Sequence, residues 1–312
     1  MIGLVVRRLG WTVVVAWFVV TATFALISVI PADPVRALAP HATPEVAERI
    51  RAHYCLDRSF TGQYGCFVSH VARGELGESV RGGRPVTQIL AERAWPSIQL
   101  ALAAIVLQLV FGALVGVVGA ARRGRWADRV GGLAGVVGLS APPFFVGPLL
   151  LFLLAYRLGW FPLGGYGSGV LDRLWHLVLP AATIACGGLA YYARAVRTEM
   201  IDALGQDYVR TARAKGLPER SVIVRHALRN SLGPLTSIAG LSFGMLLCGE
   251  VIVEYIFAWP GLGRELLLAI LAQDGPVIVG IVLVSALALA CANLVVDLVQ
   301  LWLDPRLRAE SE

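Results

Sequence analysis

Charged residues are spaced along this chain so that six long gaps remain. Asp, Glu, Lys and Arg are absent from Leu9–Ile30, Ala94–Ala121, Val130–Tyr156, Leu174–Ala193, Asn230–Gly249 and Gly275–Val296. Each gap reaches the roughly 20 residues that cross a bilayer core about 30 Å thick at 1.5 Å rise per residue. Alternating segments of about 10 residues, the mark of a membrane barrel, are missing. The pattern predicts an all-α integral membrane fold with six transmembrane helices, each closing its backbone hydrogen bonds internally. Arg7 and Arg8 precede the first gap, as in a signal peptide. Its apolar run, however, exceeds the roughly 7–15 residues of a signal core, and no small-x-small cleavage site follows. The chain therefore divides into a first span (1–30), a polar loop subdomain (31–93), a five-helix core (94–303) and a tail (304–312). The largest polar insert of the core is 194–229.

Composition agrees with this division. Hydrophobic residues make up 57% of the 312, charged residues 15%, and mean hydropathy is +0.70. A soluble domain carries about 25% charged residues, so a soluble fold is excluded. Disorder is excluded by the apolar content, and a disulfide scaffold by the sparse cysteines. Net charge is +6. The amino end, the 122–129 loop, the 194–229 loop and the tail contribute +8, the opposite loops sum to zero, and Glu250 and Asp297 lie at boundaries. Positive-inside asymmetry then places both termini in the cytoplasm and 31–93 outside. All but one of the basic residues are Arg, Lys215 being the exception. That is a codon-usage bias, so single arginines are not read as chosen for guanidinium geometry.

The outer loop predicts a short helix over Pro44–Tyr54, with Thr43 as N-cap and Pro44 at N1. Cys55 and Cys66 share this loop on the oxidising side and are expected to form a disulfide. Cys186, Cys248 and Cys291 fall in spans and read as packing residues. Gly112-x3-Gly116, Gly131-x3-Gly135 and Gly240-x3-Gly244 predict close helix approach. Pro142, Pro143 and Pro148 predict a kink in the third span. Glu250 and Glu254 lie near the outer end of the fifth. An ionisable residue at membrane depth is a functional candidate, so Glu250 is read as facing a path through the membrane. Ser237, Ser242 and Met245 on the same helix and the kinked Pro142-Pro143 would also line it. The competing reading leaves both glutamates at the interface.

The most informative stretch is Arg194–Arg229. Asp207 as N-cap, a helix over Tyr208–Lys215, Gly216 at C′ and Pro218 as a stop predict a short surface helix, with helix resuming over Ser221–Arg229. Such an element can be gripped by a partner, or lie on anionic lipid. Nucleic-acid binding is not expected, because Tyr208 is the segment's one stacking residue.

Tyr208-Val-Arg-Thr-Ala-Arg-Ala-Lys-Gly216, followed by His226-Ala-Leu-Arg-Asn-Ser-Leu-Gly-Pro234, resembles the coupling loop of bacterial ABC-importer permeases. The resemblance runs through Pro31-Ala-Asp-Pro34, Gly74-Glu-Leu-Gly77, Arg123-Gly-Arg-Trp-Ala-Asp-Arg129, Ser140-Ala-Pro-Pro-Phe144, Phe257-Ala-Trp-Pro-Gly-Leu-Gly263, Asn293-Leu-Val-Val-Asp297 and Leu303-Asp-Pro-Arg306. Together these are similar to the first permease subunit of dipeptide and oligopeptide importers. Ala32 stands where Gly is common, and the family usually lacks Cys55 and Cys66. The resemblance implies a type I importer permease in the bacterial inner membrane. Its partners would be a homologous second permease, two ATPase subunits or a fused pair, an extracytoplasmic binding protein and membrane lipid. Asp207, Tyr208, Arg210, Thr211, Ala212, Arg213, Lys215, Gly216 and Leu217 would couple to the ATPases. ATP and Mg would sit on those partners. This chain binds no cofactor by that reading and is not an enzyme, since it has no Gly-x4-Gly-Lys-Ser/Thr loop. The expected cargo is a peptide, with nickel, glutathione or haem as alternatives. A secondary transporter or channel would instead show internal repeats and midplane charges. An intramembrane hydrolase would need a Ser/His or paired-acid site, and the five histidines sit in loops or at span ends.

Overall fold

The computed structural model describes residues 2–29, 35, 41–53, 55–231, 233–247 and 250–303. Pro31–Pro34, Tyr54, Cys248 and the 304–312 tail lie outside the described residues, as do the side chains of Ser237 and Asp297. The elements are α1 (Ile2–Val29), α2 (Pro44–His53), α3 (Phe60–Arg73), α4 (Val86–Ala121), α5 (Trp126–Ser140), α6 (Pro143–Leu150, wound on as a π-turn over Leu151–Arg157) and α7 (Val170–Leu204). There follow α8 (Asp207–Ala214), α9 (219–231, π-wound over Val222–Leu228), α10 (Gly233–Leu247), α11 (Val251–Ile256), α12 (Leu262–Leu271) and α13 (Gly275–Leu303). Among the described residues the only β-pairing is one isolated bridge, Glu78 to Pro85.

Among the described residues, four helical stretches are long and apolar enough to cross a membrane: Val6–Ala25, Val86–Ala121, Val170–Leu204 and Gly275–Val296. α5 and the α6 segment are together apolar enough for a fifth but bend by 105°. The single kinked third span expected from the sequence is therefore two helices at a sharp corner. Ala141 precedes a proline, whose ring disfavours helical geometry there, and it is extended at φ −81°, ψ 115°. Pro142 is extended too, and Pro143 opens α6 at its first position. The fifth expected span corresponds to α10, which is only 15 residues long, preceded by the last two residues of α9.

Packing divides the chain into two units: 1–98 with 244–255 and 260–312, and 99–243 with 256–259. In the first unit α1 packs along α13 and against α3, and α12 packs on α13. Phe24 of α1 meets Tyr64 and Phe67 of α3 at ring-centroid distances of 5.3 and 5.7 Å. In the 31–93 loop, the Val46 N–H donates to Thr43 Oγ1 at 3.5 Å, the expected cap. Sequence reasoning missed α3, which runs from Ser59 to a left-handed Gly74 at φ 75°. Cys55 follows α2 and Cys66 lies on α3. Their sulfurs are at disulfide distance, with Cα atoms 6.4 Å apart. His53 stacks on His70 at 4.7 Å.

In the second unit α5 and α6 pack on α7. Glycine decides how closely. A Cβ on Gly112 would meet the Tyr192 side chain, and one on Gly116 would meet the Ala193 carbonyl and Val196. These are the close approaches that the glycine spacing predicts. Tyr192, Val196 and Met200 of α7 form a buried cluster with Ala227 of α9 and Leu235 of α10.

Candidate functional site

α7 ends at Gly205, and Gln206 turns the chain in extended conformation to become the N-cap of α8. The helix starts one residue earlier than expected. Asp207 is thus its first residue and not its cap, and pairs with Arg210 at 3.3 Å. An acid in the first turn still suits the positive end of the helix dipole. Thr211 Oγ1 donates back to the Asp207 carbonyl at 3.0 Å. Val209 and Ala212 are buried, together with Val222 of α9 and a partly buried Leu204 of α7. These are the i and i+3 positions of one helix face. The remaining face, with Tyr208, Arg210, Thr211 and Arg213, is exposed.

The exit from α8 is closed by two backbone bonds. The Leu217 N–H donates to the Ala212 carbonyl at 3.3 Å, and the Gly216 N–H to Arg213 at 2.9 Å. This is the double-bonded C-terminal turn that needs a left-handed residue, and Gly216 supplies it at φ 76°. A Cβ there would meet nothing within 4 Å. The demand for glycine is therefore conformational and not steric. Pro218 then caps α9. Arg213 donates to Glu219 at 2.6 and 3.1 Å, which ties α8 to α9 and holds the Glu219 carboxyl below its ordinary range. The resumed helix begins at Glu219, two residues before the expected Ser221, because Pro218 is itself the N-cap.

The expected path residues are placed singly. Ser242 is half-buried, Met245 is 67% exposed and Glu250 is half-buried. Pro142 and Pro143 form the corner between α5 and α6. The arrangement missed in sequence is around Glu254, which is 1% exposed. Its carboxylate accepts from Ser97 Oγ at 2.6 Å and from the Arg264 N–H at 2.9 Å. Ser97 Oγ in turn accepts from the Leu262 N–H at 2.8 Å. A Cβ on Gly261 would run into this carboxylate, and one on Gly263 would meet the Val251 backbone at 2.8 Å. The signal was the glycine pair of Pro260-Gly261-Leu262-Gly263, seven and nine residues beyond the glutamate. Among the described residues no group of three or more His, Cys, Asp or Glu could hold a metal.

Residues 108–309 match the family described as binding-protein-dependent transport system inner membrane component. Residues 1–94 match the membrane-component N-terminal family of the same systems. The glutathione transport system permease protein GsiC of Salmonella choleraesuis (strain SC-B67) is 36% identical over 309 residues, 99% of both chains. The protein of that name from Escherichia coli (strain K12) is also 36% identical over 99% of both chains. In fold, the chain is similar to one of the MetNI methionine ABC transporter in inward-facing conformations. That likeness has a TM-score of 0.51 at 17% identity, over 68% of this chain and 96% of that one. The two family matches cover most of the chain, and the apolar helices agree with a membrane setting. The chain accordingly belongs to the binding-protein-dependent transport system inner membrane components, as a permease subunit of an ABC importer.

Proposed function

We propose that this permease is half of the translocation path of an ATP-driven importer, and that ATPase subunits drive it through α8. The carrying observation is the construction of α8. Its polar face is open, while Val209 and Ala212 are buried with Val222 of α9 and Leu204 of α7. A partner that grips the open face moves both flanking elements, because the buried contacts and the Arg213–Glu219 pair join them. Of the nine expected coupling residues, Asp207, Tyr208, Arg210, Thr211, Arg213, Lys215, Gly216 and Leu217 are this surface and its turn, while Ala212 is buried and anchors the helix from behind. Six spans with both termini cytoplasmic, and a homologous second permease beside this one, complete the reading. So does an extracytoplasmic binding protein that delivers cargo to the outer side. ATP and Mg belong to the ATPase partners.

The cargo is a short peptide, and glutathione, itself a tripeptide, is the first candidate. That choice is supported by the glutathione transport named for relatives that match along nearly the full chain. The test is uptake by the complete importer in proteoliposomes. Glutathione and an unmodified tripeptide are offered separately, with ATP inside. ATP-dependent accumulation of either supports a peptide importer, and their ratio decides between the two. Accumulation of nickel or haem with neither peptide taken up would overturn the cargo assignment.

A further inference from the structure

Away from α8, a cavity of about 310 Å³ opens among α4, α5 and α7 in the second unit. Its walls are unusually bare. Gly135 is consumed by packing, since a Cβ there would stand 3.2 Å from Ala190. At Gly132, by contrast, a Cβ would meet nothing within 4 Å. That glycine faces open space, and packing alone does not explain it.

Four charged side chains line the cavity: Asp128, Arg129, Arg194 and Arg197. Asp128 and Arg197 neutralise each other through a two-point ion pair at 2.6 and 2.8 Å. Arg129 and Arg194 are exposed and have no hydrogen-bond or ion-pair partner among the described residues. The lining therefore carries two uncompensated positive charges. Both lie at the edge of apolar runs: Arg129 immediately precedes Val130–Tyr156 and Arg194 immediately follows Leu174–Ala193. Trp126, 71% exposed, sits one turn before Val130, and aromatic residues of this kind gather at the membrane–water interface. The cavity thus combines two cations at headgroup level with a glycine-bare wall running toward the apolar region.

We propose that this cavity binds an anionic phospholipid, its phosphate between Arg129 and Arg194 and the first part of an acyl chain along Gly132. Basic pockets between membrane helices are suited to such headgroups. A transmembrane helix from another subunit is the competing occupant of the apolar wall, and a cross-link from position 132 tests for it. The phosphate chemistry is shared with free inorganic phosphate, and only a lipid also uses the wall at Gly132.

The test uses the complete importer equilibrated with vesicles of equal parts phosphatidylglycerol and phosphatidylcholine, then native mass spectrometry of the released complex. The wild type should retain phosphatidylglycerol preferentially, and millimolar inorganic phosphate should not displace it. The double variant Arg129→Gln/Arg194→Gln should weaken that retention about 30-fold. This is roughly 1 kcal/mol per arginine near an anionic lipid at 1.4 kcal/mol per tenfold. Gly132→Leu, which fills the cavity and leaves both charges, should also lose the lipid. The control Arg122→Gln/Arg123→Gln removes equal charge outside the cavity lining and should change nothing. Undiminished retention in the double arginine variant overturns the proposal. So does equal loss in the control, displacement by phosphate alone, or a cross-link from a cysteine at position 132 to the second permease.

Discussion

α8 and α12 are both short helices beside a glycine–proline turn, and they handle their polar groups in opposite ways. α8 leaves through Lys215-Gly216-Leu217-Pro218 with its charged face in water. The side chains of Arg210 and Asp207 are 74% and 95% exposed, and the buried anchors of the helix are Val209 and Ala212. α12 is entered through Pro260-Gly261-Leu262-Gly263, and the backbone donors of that turn go to buried groups. The Leu262 N–H reaches Ser97 Oγ and the Arg264 N–H reaches Glu254. Local opening is cheap where polar groups already face water, and costly where it strands a buried one. The first turn can be regripped by a partner with little loss. The second holds one arrangement only. A glycine–proline turn therefore says little about mobility until the destination of its hydrogen bonds is known.

The largest test of that contrast is at Glu254. Glu254→Ala leaves Ser97 Oγ and the Arg264 N–H without their acceptor, at about 1–3 kcal/mol for each buried group. The expected outcome is a steep fall in the thermal midpoint of the detergent-solubilised complex. Glu254→Gln keeps an acceptor oxygen and should fall less. Equal midpoints for wild type and Glu254→Ala would erase the distinction between the two turns.

Next is the 31–93 loop, which is closed covalently between Cys55 and Cys66. For a cross-link joining positions eleven apart, the chain-entropy account gives about 3 kcal/mol. Reduction and alkylation should add two labels in the outer loop and open α2 and α3 to protease. Free Cys55 and Cys66 in unreduced protein would contradict the pairing.

The α8 turn should respond more gently. Gly216→Ala forces an L-residue into the left-handed region at about 1–2 kcal/mol. Transport per ATP hydrolysed should fall, while assembly and thermal midpoint change little. Gly216→Pro should do more, since proline fixes φ near −65° and removes the N–H that donates to Arg213. Its effect is to break the turn, beyond any stiffening of it.

The smallest effect concerns pH. Burial, with His70 beside it, holds the His53 imidazole below its ordinary pKa, while Glu75 and Glu78 oppose that shift. A histidine with a depressed folded pKa is neutral when folded and takes up a proton on unfolding below about pH 6.5, its unfolded value. Outer-loop stability should therefore be complete above that pH and decline below it. His53→Gln should flatten the dependence, as read by proteolysis rates at pH 5 and 7.5.

The sequence made the membrane class, four of the apolar helices and the α8 turn legible, because each rests on local signals. Charge-free runs set the helices, and Gly216 with Pro218 set the turn. Two features were not legible. The break at Ala141–Pro143 reads as a kink, since a proline pair shows where a helix is interrupted but not by what angle. Glu254 read as peripheral, because its partner Ser97 is 157 residues away and no local pattern pairs them. α3 was missed although Ser59 and Gly74 bracket it, because its mixed apolar and polar residues carry no N-terminal acid or proline like those that mark α2.

The central claim is that ATPase subunits act on this permease through α8. Its most direct measurement is cross-linking from Thr211→Cys, on the exposed face, in the complete reconstituted importer. The account predicts a cross-link to an ATPase subunit whose yield changes when ATP is bound. A residue at 211 that reaches only lipid or solvent, in a complex that still transports, would contradict it.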